Sequence, residues 1–213
     1  MNLFSRLFGS HDKPSSPGAG GGLERRLAEL EKSLEKKPPG ARGMLLNKAG
    51  DLCERAGDRH RAVLYFGRAI DAFLEDDQPV ASRGVAKKII RVHPSAVRTL
   101  CTLTWLDLSA RQYRVARDDL EKYVEAAKAE ERAELAAEQI LEMGRTVADP
   151  AFLEAVVGAL EELGFPSMVE EATEWVQAGE SGDAAKDSRE LQRRCLERAM
   201  ESNARQKAEG AAA

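Results

Sequence analysis

Leu23, Leu27, Leu30 and Leu34 recur every three or four residues with charges between them, which predicts an amphipathic helix over 23–37. Pro38-Pro39-Gly40 stops it. The same period returns over about 42–56, with Leu46, Ala49, Gly50 and Cys53, and over 59–76, with Ala62, Phe66 and Ala69. Gly57-Asp58 is the tight turn that two antiparallel helices need. A further helix follows Pro79, carries Val85, Ile89, Ile90 and Val92, and ends at Pro94. The next pair runs from about Ser95 to Leu108 and from Tyr113 to Ala127, with Leu100, Leu103 and Leu106 before the turn and Ala116, Leu120 and Tyr123 after it. Ala129 to Met143 is a helix that Gly144 is expected to end. Asp149-Pro150 supplies an N-cap and first-turn proline for a stripe of Phe152, Leu153, Val156, Val157, Leu160 and Leu163. Gly164 ends that helix, and Pro166-Ser167 opens another carrying Met168, Val169, Ala172, Trp175 and Val176. A last helix opens at Asp187 with Glu190 three residues on, a capping-box spacing, and has a thin stripe of Leu191, Cys195, Ala199 and Met200. Beyond Ser202 the tail is polar and Ala-rich and is expected to fray. No window alternates apolar and polar residues with β-branched enrichment, so the predicted class is all-α.

One stretch carries a signature. Leu46 to Ala69, LNKAGDLCERAGDRHRAVLYFGRA, follows W-x2-L-G-x2-Y and then A-x3-F, with Leu46 for Trp and Cys53 for Tyr. This resembles the tetratricopeptide repeat. Residues 95–124 resemble the same unit more loosely: Thr104 stands at the packing Gly, Asp107 at the aromatic and Arg111 at the turn Gly. The run K-K-I-I-R-x-x-P ending at Pro94 resembles the closing helix of a repeat. The resemblance implies stacked antiparallel helix pairs, a right-handed α-solenoid, over 23–178, with the clearest repeat at 42–76 and a weaker one at 95–124. A three-helix step separates the two units, which departs from the family's 34-residue period. The resemblance also implies a scaffold that binds other proteins.

Composition agrees with a helical chain, since 32% of the 213 residues are charged and only 5% aromatic. Charge is uneven. Residues 114–180 hold 6 Lys and Arg against 17 Asp and Glu, whereas residues 46–113 hold 11 against 8. The acidic stretch would repel a phosphate backbone, which argues against nucleic acid as a partner. Cys53, Cys101 and Cys195 are odd in number and far apart, so they suggest reduced thiols and a cytoplasmic protein. No apolar run is long enough for a signal peptide or a membrane span.

Chemistry is sparse. His11, His60 and His93 have no second His or Cys at metal-ligand spacing, and Gly18 to Gly22 lacks the strand and the Lys-Ser or Lys-Thr of a phosphate loop. No cofactor and no metal are expected, and a non-enzymatic role is. In the resembling family the first helix of each unit lines a concave groove. Carried onto this chain, the groove residues are Met44, Asn47, Asp51 and Glu54 in the first unit and Arg98, Cys101, Trp105 and Leu108 in the second. A Trp with an Arg two turns earlier would anchor a peptide side chain and its charge. The competing reading packs Trp105 into the core.

The two ends are set off from this array. Residues 10–22, SHDKPSSPGAGGG, read as a flexible linker. It tethers an island, residues 1–9, in which Leu3, Phe4, Leu7 and Phe8 share one helical face. The island suits docking on a protein partner, weak contact with a membrane interface, or folding back on the array. Residues 179–213 read as a linker and an extra C-terminal helix. Either that helix or 23–37 could pair between chains, giving self-association as a further possibility.

Overall fold

The computed structural model describes residues 20–181 and 183–212. Among these there are ten helices and no strand. They are α1 (Gly20–Leu34), α2 (Pro39–Arg55), α3 (Arg59–Glu75), α4 (Pro79–Val92), α5 (Val97–Ser109), α6 (Tyr113–Ala129), α7 (Ala133–Thr146), α8 (Pro150–Leu163), α9 (Pro166–Ala178) and α10 (Ser188–Ala212). The protein is all-α in this region. The island at 1–9 and residues 10–19 of the linker lie outside the described residues. Gly20 to Gly22, read as the end of the linker, form the first turn of α1.

Local signals set most of the boundaries. Proline opens α2, α4, α8 and α9, where its missing N–H has no helical partner to lose. Asp58 and Asp149 cap α3 and α8, accepting from the Arg61 and Phe152 N–H groups at 3.0 and 2.9 Å. Asp187 accepts from the Glu190 N–H at 2.9 Å. Glu190 reaches back to the Lys186 N–H at 3.0 Å, one residue before the usual capping-box partner. Gly164 takes a left-handed φ of 84° and closes α8. Gly144 behaves differently from the sequence expectation, because α7 continues to Thr146. A Cβ at Gly144 would lie 2.9 Å from Trp175 Cζ3, so the missing side chain admits the α9 indole instead of breaking the helix.

Each helix from α1 to α9 packs on the next, and the short turns make neighbours antiparallel. Side chains also join helices two apart. Glu24 meets Arg61 at 2.7 Å, Asp51 meets Lys88 at 2.5 Å, Asp71 meets Arg98 at 2.6 Å, Lys128 meets Glu162 at 2.8 Å and Arg145 meets Glu171 at 2.7 Å. The stack therefore has an odd side, built of α1, α3, α5, α7 and α9, and an even side, built of α2, α4, α6 and α8.

The last helix is no separate appendage. It packs along α5 and touches α3 and α7, and its backbone continues past Ser202, where the sequence predicts fraying, to Ala212. Covered by α4, α6 and α10, α5 is the centre of the core. Every residue from Val97 to Leu108 except Arg98 is buried.

Candidate functional site

The first-unit residues singled out above sit on the even side. Asn47 and Asp51 on α2 hold the Lys88 ammonium of α4 at 2.9 and 2.5 Å, and that ammonium also lies 5.2 Å from the centre of the Phe66 ring. Glu54 takes Arg91 at 2.7 Å. These three polar residues are committed to α4. Met44 is not, and is 64% exposed. The Asp51–Lys88 and Glu54–Arg91 pairs share an offset of 37 residues, so Met44 stands level with Ala81 and beside Val80, which is 85% exposed. Two uncovered apolar side chains thus lie at one end of a cross-helix ionic lattice.

The second-unit residues sit on the odd side and face the chain's own last helix. Arg98 donates to Asn203 Oδ1 at 3.1 Å and pairs with Asp71 at 2.6 Å. Cys101 Sγ is 3.3 Å from Ser202 Oγ, and Thr102 Oγ1 donates to Asn203 Oδ1 at 2.7 Å. At the other end Arg111 donates to Ser188 Oγ at 3.0 Å, so α10 runs antiparallel to α5. The stripe it presents is Leu191, Cys195, Ala199, Ser202 and Asn203, all buried. Small residues at Cys195 and Ala199 let the two backbones approach closely. Burial pushes the Cys195 thiol up to about 12, which keeps it protonated and inert. Trp105 and Leu108 are fully buried, and the Trp105 Nε1–H has no hydrogen-bond partner. In this conformation Trp105 is a core ring, closed to any peptide.

The two sets of residues are not brought into one groove. The reason is the three-helix step between the units. In a zigzag stack an even step keeps a helix on the same side, whereas an odd step moves it to the other. α2 and α5 are three helices apart and so look in opposite directions. Comparison with family models, with curated proteins and with solved structures gives no match. The molecule's own geometry is therefore what ranks its surfaces.

Other chemistry is structural in placement. Among the described residues no group of three or more His, Cys, Asp and Glu is arranged to hold a metal ion, and no helix is long and apolar enough to cross a membrane. Leu3, Phe4, Leu7 and Phe8 lie outside the described residues. Sequence reading missed one buried cluster. The Asp107 carboxyl, with no exposed surface, forms an ion pair with Arg83 of α4 and has the Asp119 carboxyl of α6 as a second acidic neighbour. Burial raises Asp107 to about 6; Arg83 opposes that rise and Asp119 adds to it. The available signal was an acid inside the apolar run Leu103 to Leu108, which needs a cation from a neighbouring helix.

Proposed function

We propose that the protein is a non-enzymatic scaffold of tetratricopeptide-like helix pairs that binds a segment of another protein on its even side. The observation that carries this reading is the contrast between the two sides. The odd side of α5 is closed by α10, whereas the even side leaves Met44 and Val80 uncovered beside Asn47, Asp51, Glu54 and their lysine and arginine partners. An apolar anchor pair next to a fixed array of both charges suits a peptide that inserts one or two apolar side chains and pairs its polar groups along the ionic lattice. The resemblance of residues 46–69 to the tetratricopeptide signature supports the same role, because the first helix of such a unit lines the binding groove.

The test places a photo-crosslinking amino acid at Met44 or Val80 of the full chain, identifies the captured protein, and measures its affinity in purified form. Met44→Glu with Val80→Glu should weaken that affinity at least tenfold, a loss of about 1.4 kcal/mol or more. Arg98 and Trp105 serve as the counter-test. Trp105→Ala should lower the stability of the array by about 3–5 kcal/mol, as a truncated core ring does. If Trp105→Ala leaves stability unchanged and abolishes binding, while the Met44 and Val80 changes do nothing, the partner sits on α5 and the even-side assignment is wrong.

A further inference from the structure

The odd side is not wholly closed. Beyond the end of the α5–α10 contact there is a cavity of about 410 Å³ between α3 and the start of α5. Val63, Leu64, Gly67, Ile70 and Val97 line it, with Asn203 of α10 at one edge. Leu64 is 48% exposed, and a Cβ at Gly67 would meet nothing within 4 Å. Filled with solvent, such a volume sets water against mostly apolar walls. Apolar side chains are the natural occupants.

We propose that the chain's own residues 1–9 dock here in cis, with Leu3, Phe4, Leu7 and Phe8 covering Leu64 and the open backbone at Gly67. Reach allows it. The Glu24–Arg61 and Glu31–Arg68 bonds share an offset of 37 residues, which sets α1 parallel to α3 and puts Gly20 level with Gly57. Leu64 and Gly67 lie about 10–15 Å further along α3, at 1.5 Å per residue. α1 and α3 are next-but-one neighbours, bridged by the long Arg61 and Arg68 side chains at 2.7 and 2.8 Å. Residues 10–19 span up to about 33–36 Å when extended, more than the path requires. Charge allows it as well. Three arginines line the cavity; Arg68 is engaged by Glu31 at 2.8 Å and Arg98 by Asp71 at 2.6 Å, and beside the third, Arg132, Glu130 has the sign opposite to Arg6. The four apolar residues of the island meanwhile share one face, as the cavity demands of a short helix laid against it.

The experiment uses the full chain with Ser5→Cys, a position on the polar face of the island, carrying a nitroxide label. The native thiols Cys53, Cys101 and Cys195 have no exposed surface and stay unlabelled. Methyl NMR signals of Val63, Leu64, Ile70 and Val97 should lose more than half their intensity, while those of Val156 and Leu160 on α8 keep theirs. Phe4→Ser with Phe8→Ser, changes that leave the array untouched, should restore the lost intensity, and so should Leu64→Glu. Absence of selective broadening, or broadening that survives both variants, overturns the proposal. A mixed sample, with the label on copies invisible to NMR, separates the sources. Broadening of equal strength there means that a second copy supplies the segment and the cis assignment fails. Transfer of the labelled segment to phosphatidylcholine–phosphatidylserine vesicles, with recovery of the cavity methyls, overturns it in favour of a lipid surface.

Discussion

The three-helix unit α2–α4 and the unit α5–α7 follow one backbone plan and fill it with different chemistry. Their turns superimpose in sequence: Gly57 and Arg111 take left-handed φ values of 79° and 56°, Asp77 and Glu131 take 51° and 58°, and the step is 54 residues each time (57 to 111, 77 to 131). Leu46 corresponds to Leu100, Ala62 to Ala116 and Phe66 to Leu120, all of them buried. At three positions the second unit puts a polar side chain where the first has a small residue. The first unit has Gly50, Cys53 and Gly57, where the second has Thr104, Asp107 and Arg111. The first avoids conflict by leaving atoms out. The second keeps the atoms and satisfies them: Thr104 Oγ1 donates to the Leu100 carbonyl at 3.0 Å, Asp107 pairs with Arg83, and Arg111 reaches Ser188 of α10 at 3.0 Å. Buried polar groups are costly without partners, and the second unit, the one roofed by an additional helix, still leaves the Trp105 Nε1–H without a hydrogen bond.

The largest break in this comparison should come from removing the cation that the second unit needs. Arg83→Ala strands the Asp107 carboxylate, and breaking a buried pair in this way costs about 3–5 kcal/mol. The cost should depend on pH. Asp107 has its carboxyl raised from 3.8 to about 6 in the folded state, so the unfolded chain holds its proton less tightly. A raised carboxyl contributes most to stability at low pH, and that contribution is lost as pH rises from near 3.8 through about 6. Without Arg83 the carboxyl rises further, so the deficit should be large at pH 8 and smaller at pH 5, measured by urea unfolding at both. The natural chain should show the same trend more weakly, and Asp107→Asn should flatten it. Equal deficits at the two pH values would mean that Asp107 does not titrate with folding.

Gly50 offers an intermediate test. A Cβ there would overlap the Phe66 ring, which is why the close crossing of α2 and α3 requires glycine. Gly50→Thr copies the second unit's residue without its partner and should cost about 1–3 kcal/mol by overpacking. Adding Phe66→Leu, the second unit's Leu120, should recover most of that loss, and a double-mutant cycle reads the coupling directly. Recovery should stop short of complete, since the ring also carries Lys88 at 5.2 Å, a contact worth about 0.5–1 kcal/mol. Additive losses would show that Phe66 is not what Gly50 makes room for.

Sequence legibility divides along the same line. Periodicity, proline and Asp caps locate all ten helices, because those signals act within a turn or two of the residue that carries them. Gly50 and Ala62 are read as packing positions from the small residues at fixed spacing in 46–69, and both lie at the close crossing of α2 and α3. The side of the stack on which a stripe falls is not legible in this way. It depends on counting helices between units, and the odd count sends Trp105 to the opposite side from Met44. The docking of α10 on α5 is hidden for a different reason. Its stripe of Leu191, Cys195 and Ala199 is small and its contacts at Ser202 and Asn203 are polar, so no strong apolar moment announces a long-range partner. Gly144 misleads because glycine marks both helix ends and close crossings, and only the presence of Trp175 tells which.

The smallest expected difference lies in the turns, and there the two units should respond with opposite sign. The left-handed conformation costs a residue with a Cβ about 1–2 kcal/mol, whereas glycine adopts it freely at an entropic cost of about 0.5–1 kcal/mol in the unfolded chain. Arg111 bears the first cost at φ 56°, while Gly57 bears the second at 79°. Gly57→Ala should therefore destabilise the protein by about 1 kcal/mol, and since a Cβ there meets nothing within 4 Å, packing does not contribute. Arg111→Gly should stabilise it, by only a few tenths of a kcal/mol, because the exposed bond from the guanidinium to Ser188 is lost in exchange. Paired thermal melts at one protein concentration resolve the two signs. If both variants lose stability equally, the Arg111 side chain is holding the start of α10 in place more strongly than its backbone strains the turn.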